Sequence, residues 1–356
     1  MLVIREVPGS PGNLGKGEEQ SEHQERQGGK TVENRGQILA LTSSKGGVGK
    51  THLAVSLSVA MAKKNARVLL IDADLGNGMI SDRLGLYPRS NLADFLLRKR
   101  QNLWDLVEET PLGFHLIGGA RGSFALANLN YLQKLRFLRN FLEVSMNFDY
   151  VVLDLGSGIN RQSIDFALLA EKTIIVTSPK DLMSGYGSVK ACFSRFKQLE
   201  VGLYGRMDGY RARRFFNPYI LVNNVSDFSE GRAAFEALES VVEHRIKDSA
   251  GPFAINMNYL GAVFHNPRLF RKSEERRCPV SLAAVYSNVA YCLDSIAEVI
   301  CGPTPFRGFD GEKRLQYTMQ MLMEHQERLR KRLTQKVTRV SPVGIPFFQR
   351  IQSIFH

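Results

Sequence analysis

The sequence predicts a doubly wound, mostly parallel α/β sheet followed by a C-terminal helical tail, and three observations predict it. Apolar runs rich in Val, Ile and Leu recur along the chain with almost no polar interruption, as strands covered on both faces require. Helical patterns separate these runs, which is the order of crossover connections in a parallel sheet. The first run, Ile38 to Leu41, passes through a glycine-rich turn straight into the apolar stretch Leu53 to Met61.

That turn is Lys45-Gly46-Gly47-Val48-Gly49-Lys50-Thr51. A strand that ends in glycines and turns into a helix leaves backbone N–H groups aimed at one spot, and the helix dipole adds positive potential there. Phosphate fits such a nest. Gly46, Gly47 and Gly49 let the backbone close round an anion with no Cβ in the way, while Val48 and His52 complete the segment expected to touch nucleotide. Lys50 is expected at the β and γ phosphates of ATP, and the Thr51 hydroxyl on Mg²⁺.

The second strand, Val68 to Ile71, delivers Asp72 and Asp74 to the same end of the sheet. These carboxylates either belong to a nucleotide-sensing switch or cap the turn that follows. Phe114 to Ile117 is the third strand and Tyr150 to Leu153 the fourth. The latter ends in Asp154-Leu155-Gly156-Ser157-Gly158, where Asp154 suits a Mg²⁺ held through water and Gly156 lets the backbone approach the γ phosphate. Lys172 to Val176, Pro218 to Val222 and the shorter Tyr259 to Val263 complete the strands. Ligands in such sheets bind at the C-terminal strand ends, where Lys45 lies.

The loop resembles the deviant Walker A motif of the MinD/ParA superfamily of P-loop NTPases, in which Ser44 stands where the general pattern has its first glycine. The resemblance runs from Ile38 to about Ile300 through three motifs in order. It implies an ATPase in which Lys45 reaches the phosphates of the partner in an ATP-bound homodimer, and in which Asp74 positions the attacking water. It further implies that Asp72, Asp74 and Gly156 belong to the switches. Asn223, at the end of the Pro218 to Val222 run, aligns with the family asparagine that contacts adenine; a plain turn asparagine is the alternative. Four positions depart from the family pattern. Met79 and Ser81 replace the usual Asn and Asp of the first switch, and Phe264 and Asn266 replace the usual Pro and Asp beside the base.

Within the superfamily, the long segment before the loop, the Asp154 to Gly158 switch and the end of the chain are most similar to FlhG, a regulator of flagellar number and placement. Such a protein cycles between an ATP dimer on the inner membrane surface and a cytoplasmic monomer, with a flagellar GTPase or flagellar component as its protein partner. The motif through which that family stimulates its GTPase is not recognisable near Glu19 to Gln24. A MinD-type division-site regulator, a ParA-type DNA partition ATPase and a non-hydrolysing scaffold are the alternatives.

Residues 1–36 carry little apolar periodicity and are expected to be disordered or ordered by a partner. Residues 37–301 form the ATPase domain. Residues 302–344 form a charged helical extension and linker, and residues 345–356 an amphipathic helix. From residue 302 onward ten Lys/Arg face four Asp/Glu, half of the chain's net +12, so this end seeks an acidic partner. Phe347, Phe348, Ile351, Ile354 and Phe355 gather on one side of a helix, which suits an anionic membrane surface; docking on the chain's own domain would bury the same face. A ParA-like partner, nucleic acid, would make that helix superfluous. Tyr204 to Phe216 interleaves basic and aromatic residues, expected to pack its aromatics inward rather than touch lipid or nucleic acid.

The four cysteines show no metal-binding spacing, and none lies in Asp154 to Asn160, which argues for free thiols and against an iron–sulfur cluster. No secretion signal and no membrane span is expected, since no apolar run approaches about 18 residues.

Overall fold

The computed structural model describes residues 36–74, 76–119, 131–204, 212–246 and 251–302, with Glu327 and Lys331 beyond them. Ten strands occur among these: β1 (Gln37–Thr42), β2 (Val68–Ala73), β3 (Glu108–Glu109), β4 (His115–Ile117), β5 (Tyr150–Leu155), β6 (Lys172–Thr177), β7 (Phe215–Phe216), β8 (Tyr219–Val225), β9 (Ala254–Ile255) and β10 (Asn258–Phe264). Eight of them make one sheet in the order β10-β8-β6-β1-β5-β2-β4-β3, parallel except for β3 at the edge. The expected strands are all present, each within a residue or three of its expected ends. The two-residue strands β3, β7 and β9 were not anticipated, because two residues carry no readable period.

Alternate residues of each strand feed opposite faces. Ile38, Ile71, Leu153 and Val222 join one core with Phe137 and Phe141 of α4 (Tyr131–Ser145), Ile164 of α5 (Arg161–Ala167), Phe193 of α6 (Leu182–Tyr204) and Leu238 of α7 (Phe228–Ile246). Leu39, Leu70, Val152 and Leu221 join the other core with Leu53 and Leu57 of α1 (Lys50–Ala62), Val280 of α9 (Val280–Ala283) and Leu293 and Ile296 of α10 (Asn288–Cys301). Both faces are covered, which explains the unbroken apolar runs. Three short helices complete the domain: α2 (Ile80–Leu84), α3 (Leu92–Leu96) and α8 (Pro267–Glu275).

Local chemistry sets several of these boundaries. Asn160 accepts from the Ser163 N–H at 2.8 Å to start α5, and Asn266 accepts from the Leu269 N–H at 3.1 Å to start α8, with Pro267 in the first turn. The asparagine that replaces the family's aspartate beside the base is therefore a helix cap.

The insertion packs as expected only in part. Phe216 is buried against Phe196, and Arg213 lies over the same ring while its guanidinium bonds the wholly buried Glu200 at 2.9 Å. Phe215 is exposed, and Gly205 to Arg211 lie outside the described residues. All four cysteines are free thiols, Cys192 and Cys292 buried among apolar side chains. No helix of the described residues is long and apolar enough to cross a membrane. Residues 1–35 and the tail phenylalanines and isoleucines at 347–355 lie outside the described residues; Glu327 and Lys331 are helical.

Candidate nucleotide site

The register of the sheet assembles the site. Asp72 on β2 and Asp154 on β5 are direct neighbours, and Leu41 at the end of β1 lies on the other side of Asp154. The loop from Ser43 to Gly49 leaves β1 at this same end and enters α1. Gly47 and Gly49 have φ of 80° and 93°, the left-handed region where a side chain would be strained. At Gly49 a Cβ would also stand 2.4 Å from the Asn223 amide. The loop is braced from its flank, because the Ser44 hydroxyl donates to the Ser184 carbonyl at 2.6 Å and the Ser44 N–H to the Ser188 hydroxyl.

Lys50 is buried at the start of α1, facing Asp154 and Asp74. Burial lowers its pKa, and the two carboxylates work against that shift. The Thr51 hydroxyl bonds the Asp154 carboxylate, whose Oδ1 is buried with no hydrogen-bond partner among the described residues. Burial pushes Asp154 up to about 6, while Thr51 and Lys50 pull it down. A half-buried hydroxyl beside a buried carboxylate with one acceptor left over fits a hard cation such as Mg²⁺, which takes oxygen ligands.

The two carboxylates of the first switch have different surroundings. Asp72 is buried; its Oδ2 accepts from the Ile80 N–H at 2.9 Å and so ties down α2, and Gly78 and Gly119 leave the room it needs. Burial, and then Asp154, push it up to about 7. Asp74 lies against Gly156, where a Cβ would come within 3.0 Å of its Oδ1. Both carboxylates therefore cap the turn that follows, Asp72 through the Ile80 N–H and Asp74 by accepting from the Asn77 N–H at 3.2 Å, and Asp74 also faces the second switch.

Three expected residues have partners that sequence did not indicate. Lys45 is two-thirds exposed and its Nζ lies 3.0 Å from Asp181, in the short turn of helix Pro179–Asp181 that follows β6. Asn223 Nδ2 donates to the Val48 carbonyl at 2.8 Å, so this asparagine props the loop from beneath, and its Oδ1 is buried without a partner among the described residues. The side chain of His52 turns from the Lys50 and Asp154 group towards Arg83 on α2 and Glu274 on α8. Asp181, Arg83 and Glu274 gave no signal in the sequence, because each is near the loop only through the fold.

Comparison with known proteins agrees with this geometry. The AAA domain family matches residues 36–200. Antiactivator FleN of Pseudomonas aeruginosa is 28% identical over 294 residues, covering 81% of this chain and 94% of that protein. The cell division ATPase MinD of Pyrococcus furiosus has the same fold, with a TM-score of 0.54 over 74% of this chain and 98% of that one at 20% identity. The chain is thus similar in sequence to antiactivator FleN and has the fold of MinD. The flagellum site-determining protein YlxH of Helicobacter pylori is 27% identical over 252 residues, 69% of this chain and 76% of that one. Solved MinD/ParA structures include a septum site-determining protein MinD complexed with Mg-ADP, from Pyrococcus horikoshii.

Proposed function

We propose that this protein is an ATP-dependent dimerising ATPase that cycles between the cytoplasm and the inner membrane surface and thereby regulates flagellar number or placement. The observation that carries the reading is the joining of the deviant loop to the Thr51 and Asp154 pair, in a chain that matches 94% of an antiactivator FleN. The name of the Helicobacter relative, a flagellum site-determining protein, points to the same process.

In this reading the loop N–H groups and Lys50 hold the triphosphate, and burial of Lys50 concentrates its charge on the β and γ oxygens. Thr51 and Asp154 would hold Mg²⁺, which neutralises phosphate charge when bound. Asp74 aligns the attacking water, and Gly156 keeps the backbone of the second switch close to it; hydrolysis of this kind needs alignment and charge neutralisation more than covalent chemistry. Asn223 supports the loop and offers its free Oδ1 to the adenine side. Lys45 is two-thirds exposed in a single chain and pairs there with the mostly buried Asp181, so the phosphates of a second protomer would compete with that carboxylate for it. The exposed Ile159 and Met183 follow β5 and β6 at the same end of the sheet and give a dimer apolar surface to cover. Turnover is slow because the site is complete only in the dimer. An amphipathic helix at 345–356, as the sequence predicts, would anchor weakly alone, so pairing two copies would make attachment depend on ATP.

Phosphate release and vesicle flotation test the scheme together. Lys50→Ala is expected to abolish ATP-dependent binding to anionic vesicles, and Asp74→Ala to hold the dimer on lipid with hydrolysis lost. If Asp74→Ala dimers left the vesicles as fast as the unmodified protein, Asp74 would not be the water-positioning residue. Deleting the gene and counting flagella while recording septum position tests the cellular role. A changed flagellar number with normal septa is expected, and misplaced septa with normal flagella would indicate a division-site regulator.

A further inference from the structure

Helix α2 connects the first switch to the rest of the domain, and its five residues are too few to be helical without outside support. Its N-terminal end is tied to the sheet by Asp72, through the Ile80 N–H. Its C-terminal end carries Arg83, one position before the last helical residue, and a cation there suits the negative end of the helix. Arg83 Nη1 contacts Glu274 Oε1 of α8 and lies 2.8 Å from His52 Nε2, which is itself 3.0 Å from the same carboxylate oxygen.

The three groups come from three separate elements, the phosphate-loop helix α1, the switch helix α2 and α8. Together with Thr51 and Cys278 they line a small cavity beside the loop, and Arg83 Nε is buried with no hydrogen-bond partner among the described residues. Burial first, and then the Arg83 charge, lower the His52 pKa, while the Glu274 carboxylate works against that shift. The contact continues past the helix. Gly85, with φ 64°, packs so closely on the Arg277 side chain that a Cβ would come within 2.7 Å of its Cδ, and Arg277 Nη1 donates to the Tyr87 hydroxyl at 3.1 Å.

We infer that Arg83 is a positioning residue for ATP hydrolysis: clamped by Glu274 and His52, it fixes the far end of the first switch so that Asp74 is held at its working position. Asp74 lies in a short span whose two ends are the β2 strand and helix α2. Asp72 and the buried Ile80 side chain fix one end. Without the clamp at Arg83, the far end of α2 is left to the packing of Leu84 and Gly85, and the span carrying Asp74 loosens with it. A misplacement of about 1 Å is enough to cost on the order of a hundredfold in rate. Lys50, Thr51 and the glycines bind nucleotide from a different segment, so ATP affinity is untouched. The inference rests on the assignment of Asp74 given above.

The test is steady-state phosphate release against ATP concentration for full-length Arg83→Gln, Glu274→Gln, Arg83→Lys and Asp74→Ala proteins, with a melting curve for each. Arg83→Gln and Glu274→Gln are each expected to lower kcat about tenfold with KM for ATP changed less than about twofold, and Arg83→Lys to recover most of the rate. Unchanged kcat in both neutral variants, or a change confined to KM, would overturn the inference. So would a joint fall in melting temperature and kcat that Arg83→Lys does not restore, which would make the cluster a structural prop. Glu274→Gln keeps shape and decides the matter if Arg83→Gln does not fold. Full activity in Asp74→Ala would instead sink the assignment of the site itself, whatever the Arg83 variants do.

Discussion

Asp72 shows how one residue's surroundings set a measurable property. It is buried beside a second carboxylate, Asp154, and its pKa rises from 3.8 to about 7. Between those values the folded chain holds a proton that the unfolded chain has released. The stability this contributes is therefore complete below about pH 4 and lost as pH rises through about 7. Metal-free, nucleotide-free protein is expected to lose on the order of 2 to 3 kcal/mol from this residue between pH 5 and pH 8. Asp72→Asn keeps an oxygen for the Ile80 N–H and removes the titration. Its melting temperature should decline less over that range than the unmodified protein's, and parallel pH curves for the two would refute the assignment. Much at this scale was legible in advance. Lys50, Thr51 and Asp154 do come together, because the phosphate loop is a contiguous motif and Asp154 ends a strand with a plain apolar signature. Arg83 and Glu274 were not legible, since they meet across 191 residues of chain and neither belongs to a local pattern.

At the scale of elements, the long strands were readable for a physical reason: a parallel strand buried on both faces has nowhere to put a polar side chain. The paired β7 and β9 and the edge strand β3 had no such signature, because two residues are too few to show a period. The insertion that leads into β7 is held by Arg213, whose side chain bonds Glu200 on α6 while its backbone N–H donates to the other carboxylate oxygen at 2.9 Å. Glu200 is wholly buried. Removing the cation from a buried carboxylate costs far more than an exposed pair is worth. Arg213→Ala should destabilise the domain by about 3 kcal/mol and lower the melting temperature by roughly 5 °C. Adding Glu200→Gln should recover part of that loss, because the uncompensated charge goes with it. If the double variant melted no higher than the single one, the packing of Arg213 over Phe196, and not its charge, would be what holds the insertion.

Over the whole chain, the ATPase domain and the charged C-terminal end have separate tasks in the proposed cycle, and separate removal can show this. The sheet, both cores and every candidate phosphate ligand lie between Gln37 and Cys301. The tail contributes half of the net charge and, at 345–356, an apolar set spaced for one face of a helix. A helix of about three turns binds a bilayer weakly, and two in one dimer bind as a single unit with the second insertion made effectively intramolecular. Protein lacking residues 345–356 is therefore expected to bind ATP with unchanged affinity, to dimerise with ATP, and to stay in solution when anionic vesicles are floated. Raising the salt concentration should weaken vesicle binding of the full chain only partly, because the basic segment from 302 onward is screened while the burial of Phe and Ile is not. A truncated chain that loses nucleotide affinity would mean that the tail packs on its own domain instead. A truncated chain that still floats with the vesicles would move the membrane contact to another surface of the protein.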